Sequence, residues 1–199
     1  MRLGVRQAVM ALMGWLCVGG AITVLIRLNL GVAPFDVLNT AIGERIGYDA
    51  GVGTWISGAV LVSVAWVMGV RPGVGTVLGF FGIGWIINTA LRIVPDIEPI
   101  GVRVGAVPVA LAVLYLGVCF IIVSGIGAGP TEVLTLALHQ RGMSLRAARW
   151  GVEFGCASVG WALGGSIGVL TAVITVVAGP CIGFLLPAVR AWADKHWWV

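Results

Sequence analysis

The chain has 199 residues, of which 59% are hydrophobic and only 10% charged, and its mean hydropathy is +1.06. A soluble domain carries roughly 25% charged residues, so the composition excludes a water-soluble enzyme or binding module and requires an integral membrane protein. The net charge of +4, from twelve Lys and Arg against eight Asp and Glu, is the excess expected of cytoplasmic loops rather than a nucleic-acid signal.

The opening MRLGVRQAVMALMGWLCVGGAITVLI starts basic like a signal peptide, but its apolar stretch is bilayer-length and no A-x-A site follows. It predicts an uncleaved first span over 7–27. Irregular backbone around Gly31 at 28–33 leads into a short segment, 34–45, which begins at Pro34. Long apolar segments follow at 51–70 and 73–92, then the polar connection IVPDIEPIGVR at 93–103. The second part of the chain repeats the order, with a long segment at 104–124, a short one from Pro130 to 141, a polar connection at 141–149, and long segments at 148–165 and 168–189. Six segments thus approach the ~20 residues that cross a bilayer. The two short ones, at ~1.5 Å per residue, reach about half its thickness.

The order repeats because the sequence does. LGVAPFDVLNTA at 30–41 lies over IGAGPTEVLTLA at 126–137, matching Gly31 with Gly127, Pro34 with Pro130 and Asp36 with Glu132. With one residue dropped, the match continues at a spacing of 95: Trp55 with Trp150, Trp66 with Trp161, Gly69 with Gly164, Thr76 with Thr171 and Gly84 with Gly179. The chain is therefore read as a tandem duplication, a single membrane domain over 1–199 with repeats at 7–92 and 104–189 and the linker 93–103 between them. The expected fold is an all-α polytopic membrane protein of two pseudosymmetric halves, each with three long transmembrane helices and one short helix, re-entrant or half-length.

Two topologies follow. If the short helices dip in and return, each half crosses three times and the halves have opposite orientation, the inverted plan common in transporters. If they cross, each half spans four times and the repeats are parallel. Charge favours eight crossings, which leave only Arg27 and Arg71 outside, while six leave Arg27, Arg45, Arg92 and Arg103 outside. Backbone geometry favours six, because Pro34 and Pro130 forbid a helix continuing unbroken from the preceding glycines. Both versions put the N- and C-termini in the cytoplasm.

The six-crossing version gives the short segments a purpose. Each proline suits a first helical position. Asp36 and Glu132 then lie in the first turn, where the helix dipole favours negative charge and free N–H groups can hold polar solutes. Like charges brought close cannot both ionise cheaply, so facing acids would share one proton. The expected substrate site comprises Asp36 and Glu132, with Asn39, Thr131 and Thr135 on nearby turns. The backbone breaks at Gly31, Pro34, Gly127, Gly129 and Pro130 complete it, with Glu153 and Arg149 as further candidates. The bland alternatives are that the acids only cap their helices and that Arg149 and Glu153, at i,i+4, form a structural pair. Arg27, ending a span, is expected to snorkel.

Other motifs carry less. The GxxxG pairs Gly75/Gly79, Gly151/Gly155, Gly160/Gly164 and Gly179/Gly183 read as helix-packing surfaces. Trp55, Trp150, Trp192, Trp197 and Trp198 read as interfacial anchors. The four cysteines lie in apolar runs without metal-ligand spacing. GGSIG at 164–168 matches the nucleophile-elbow pattern, but its counterpart GVRPG has no serine and no strand precedes it. No catalytic residue, metal or cofactor is expected.

The paired G-x-x-P-x-D and G-x-G-P-x-E elements, with Arg149-x-x-x-Glu153, Gly164-Gly165-x-x-Gly168, Thr171 and Gly179-Pro180, resemble the YczE-like bacterial membrane proteins, relatives of the YitT group, over roughly residues 10 to 188. The resemblance implies a small bacterial inner-membrane protein and brings no catalytic residues with it. The first half departs from GG-x-x-G at 69–73, where the second glycine is missing.

The expected function is a small-solute transporter or permease of the plasma membrane, its polar site between the repeats and its transport open to proton coupling. The alternative is a non-transporting accessory protein that stabilises or regulates a partner complex. The expected partners are the lipid bilayer and a small solute, without nucleic acid, and a homodimer is compatible with the glycine-lined faces.

Overall fold

Residues 4–196 of the computed structural model are described here, and they form helices without strands. Trp197 and Trp198, read above as interfacial anchors, lie outside the described residues. The helices are α1 (Val5–Leu28), α2 (Pro34–Arg45), α3 (Ala50–Val67), α4 (Val74–Leu91), α5 (Ile100–Ser124), α6 (Pro130–Gln140), α7 (Leu145–Ala162) and α8 (Val169–His196).

Local chemistry sets these boundaries. Asn29 (φ 49°) and Gly125 (φ 66°) are left-handed caps that end α1 and α5. Pro34 and Pro130 occupy the first helical turn of α2 and α6, where a missing N–H costs nothing. The Ser144 hydroxyl accepts from Ala147 N at 3.2 Å and starts α7.

Five helices, α1, α3, α4, α5 and α8, are long and apolar enough to cross a membrane. Six long apolar segments are expected from the sequence, and α7 is the exception. It has 18 residues, as α3 does, but the Ser144 cap brings Arg146 into it beside Arg149 and Glu153. Helix α8 also runs further than 168–189, continuing through Pro180 and Pro187 to His196.

Helix directions follow from the contacts. Arg103, near the start of α5, donates to the carbonyls of Leu28 and Asn29 at the end of α1, the latter at 2.7 Å. Gly14, early in α1, lies against Gly117, late in α5, so closely that a methyl on either would strike the other helix. Helices α1 and α5 are therefore antiparallel. By contrast α1 and α4 are parallel, with Trp15 over Gly79 and Gly82 at one end and Arg27 bonded to the Leu91 carbonyl at the other. Helix α4 in turn opposes α3, because Gly51 meets Gly84 and Asn88 while Gly58 meets Phe80. Arg27 also pairs with Asp96 at 2.7 Å, so it pins a helix corner rather than snorkelling freely.

The principal core forms where α1 and α5 meet, with Leu25, Leu28, Leu111, Leu114 and Tyr115 buried there. Beside it, α2 packs on α3 and α7, and α6 packs on the same two helices. These four close a ring whose centre holds Leu38, Leu61, Val152 and Cys156.

Candidate functional site

The first two turns of each short helix reach a neighbouring long helix through polar side chains. On α2, Asp36 is buried at 5% exposure, and one carboxylate oxygen accepts from Asn39 Nδ2 at 3.1 Å. The Asn39 side-chain oxygen accepts from the hydroxyl of Ser57, near the midpoint of α3. Gly53 makes this possible: it lies against the Asn39 carbonyl with no room for a methyl. The result is a closed relay, Asp36–Asn39–Ser57, with every member buried.

The first turn of α6 is built differently. Glu132 Oε2 accepts from the Thr131 hydroxyl at 3.0 Å, and Oε1 lies 3.4 Å from Arg149 Nη1. Arg149 Nε donates to Glu153 Oε1 at 3.0 Å, the i,i+4 pair expected from the spacing. The side chains of Glu132 and Arg149 are 44% and 45% exposed. Thr135 is buried but bonds back to the Thr131 carbonyl at 2.7 Å. Among the described residues, Asp36 and Glu132 thus belong to separate networks and share no hydrogen bond. Each carboxylate is satisfied by its own neighbours, not by the other.

The glycines before the prolines cross between the two parts of the chain. Gly31 (φ 111°) lies against Gly168 and Thr171 at the start of α8, where the Leu170 N–H donates to the Leu30 carbonyl at 3.1 Å. Gly127 lies against Gly75 and Thr76 at the start of α4. The Thr76 hydroxyl is buried without a hydrogen-bond partner, whereas Thr171 accepts from Gly168 N at 3.2 Å.

The model of the family described as "Family of unknown function (DUF6198)" matches residues 5–187. The chain belongs to that family. It is 26% identical over 165 residues to the "Uncharacterized membrane protein YczE" of Bacillus subtilis (strain 168), covering 79% of this chain and 74% of the relative. It is also 24% identical over 159 residues to an "Uncharacterized protein" of Haemophilus influenzae (strain ATCC 51907 / DSM 11121 / KW20 / Rd), covering 79% and 73%. No solved structure matches the chain. The YczE-like resemblance read from the paired proline elements is therefore the family itself.

In this family member an open pocket of about 320 Å³ lies where α2, α3, α6 and α7 meet, lined by Leu38, Leu61, Leu134, Leu138, Gly151 and Cys156 among others. Its lining is almost wholly apolar, and the two polar networks flank it. Sequence reasoning missed Ser57. The available signal was Gly53 four residues earlier, which marks the same face of α3 as the one that another backbone approaches. Thr76 and Thr171 stand in the sequence as repeat matches, and Thr171 as a family-motif residue, and in the structure they receive the crossing loops.

Proposed function

We propose that this DUF6198 member is a small-solute transporter of the bacterial plasma membrane, built from two oppositely oriented halves with a polar site between them. Helix starts support the duplication: α3 and α7 begin at Ala50 and Leu145, and α4 and α8 at Val74 and Val169, each pair 95 residues apart. Exchanging the halves also maps α2 on α3 onto α6 on α7, α2 on α7 onto α6 on α3, and α1 on α4 onto α5 on α8. The carrying observation is that α1 and α5, counterparts under this exchange, run antiparallel. Opposite orientation needs an odd number of crossings per half, which favours six crossings with α2 and α6 as re-entrant helices and both termini cytoplasmic.

On that reading Asp36 and Glu132 head half-helices near the bilayer midplane, where a lone charge costs on the order of 3 kcal/mol or more. Such residues are kept where they serve a solute or proton pathway. Asn39, Ser57, Arg149 and Glu153 supply the neighbouring polar groups, and the protein carries out no chemistry on its solute. A thermal-shift screen of small solutes at two pH values identifies a ligand, and flux of that ligand into proteoliposomes then tests the acids. Asp36→Asn and Glu132→Gln are expected to abolish flux while the protein still inserts. Undiminished flux in both removes the acids from the mechanism.

A further inference from the structure

The two halves hold their last two helices differently. In the first half α3 and α4 are closed along a seam. Trp55 lies over Gly84 and its Nε1 donates to the Phe81 carbonyl at 2.9 Å, Gly51 sits against Asn88, and Gly58 sits against Phe80. In the second half α7 does not pack along α8. Trp150, the counterpart of Trp55, is 55% exposed, and Gly179 and Gly183 have nothing near them. The parts of a seam are nevertheless present. At a spacing of 95, Trp55 over Gly84 becomes Trp150 over Gly179. The other two contacts exchange small and large residues: Gly51 opposite Asn88 becomes Arg146 opposite Gly183, and Gly58 opposite Phe80 becomes Glu153 opposite Thr175. Each of the three large α7 side chains in these pairs is thus matched by a small or hydrogen-bonding residue of α8. A face exposed only to lipid has no need of that complementarity.

We infer that α7 and α8 close on each other in a second state of the protein, along a seam built from the same positions as the α3–α4 seam. In that state Trp150 covers Gly179 and bonds the Val176 carbonyl, and Glu153 turns toward the Thr175 hydroxyl and away from Arg149. Closure covers the side of α7 that carries Glu153. The inference rests on the oppositely oriented halves proposed above. It adds that the described state has one half closed and the other open, and that transport exchanges them.

Disulfide formation in membrane vesicles tests it, with linked peptides read by mass spectrometry. The control pair, Gly58→Cys with Phe80→Cys, lies in the closed seam, where a Cβ at Gly58 is 3.3 Å from Phe80 Cβ, near the ~3.5–4.5 Å of disulfides. The test pair is Glu153→Cys with Thr175→Cys. It is expected to link within one chain about 10- to 1,000-fold more slowly than the control, as for a state populated at ~0.1–10%. Arg146→Cys with Gly183→Cys, at two exposed positions, provides a second test should loss of Glu153 disturb the fold. Adding Gly179→Leu fills the recess for Trp150 and is expected to slow linkage about tenfold or more, as overpacking a tight contact does. No linkage from either test pair overturns the inference and leaves the face to lipid. Linkage only between chains overturns it too, in favour of a second copy. Labelling Tyr48 and Met143, the two exposed hairpin turns, from opposite sides keeps the outcomes apart. Opposite labelling without a linked seam defeats this inference alone, whereas labelling from one side defeats the opposed halves as well.

Discussion

The first turns of α2 and α6 answer the same question in two ways. Both follow a loop broken at glycine, both open with proline, and both carry an acid two residues later. Asp36 is enclosed by Asn39, Ser57 and the glycine-thinned wall of α3. Glu132 instead leans on Arg149 in a half-open charged cluster. The wall explains the difference. Where α3 has Gly53 and Gly58, α7 has Ala148 and Glu153, and where α3 has Thr54, α7 has Arg149. One half has been sealed by small residues and the other supplied with charge. A duplicated frame has thus kept its backbone plan while its two acids acquired different surroundings.

Several substitutions press on that contrast. The largest effect is expected at the α2–α3 crossing: Gly53→Ala drives a methyl into the Asn39 carbonyl and destabilises by about 1–3 kcal/mol or more. Gly155→Ala faces open space and stays within ~0.5 kcal/mol. Thermal melts in detergent compare the two, and equal losses would show that the second half is as tightly closed as the first. Next in size, Asp36→Ala leaves the Asn39 amide buried without its acceptor and costs about 1–3 kcal/mol. Glu132→Ala removes one partner of a half-exposed pair that opens to the proposed solute pathway, worth roughly 0–1 kcal/mol. Chemical denaturation of the two variants should therefore give clearly unequal midpoints. The smallest effect is in salt dependence. A double-mutant cycle on Glu132 and Arg149 should give a coupling of about 0–1 kcal/mol that shrinks at high ionic strength, while a cycle on Asp36 and Asn39 stays constant.

Much of this frame is legible in the sequence because proline and glycine punctuate it. Pro34 and Pro130 fix the starts of the short helices, and the matched motifs give the second half its boundaries from the first. The start of α7 at Leu145 lies three residues before Ala148, where the sequence reading begins that segment. Ser144 is an N-cap residue three places before Ala147, and reading it as one draws Arg146 into the helix. Long-range packing was not legible. Nothing local tells that Arg103 reaches the end of α1, that Arg27 pairs with Asp96, or that Gly31 and Gly127 dock on the opposite half's last helix. Nor does a GxxxG pattern say whether a neighbour is there. Gly75 meets Ile126 and Gly160 meets Leu38, but Gly151, Gly155, Gly179 and Gly183 meet nothing. The close α1–α5 crossing uses Gly14 and Gly117 instead, which no short motif announces.

The most direct measurement is the sidedness of the two hairpin turns that follow α2 and α6. Tyr48 and Met143 are exposed at 64% and 39% and stand 95 residues apart, so each reports on the same point of its own half. With Tyr48→Cys and Met143→Cys as single variants in sealed, oriented vesicles, a membrane-impermeant thiol reagent should reach the first only from outside and the second only from the cytoplasm. Reaction of both from the same side would mean that the halves are parallel, and the opposed half-helices would go with it.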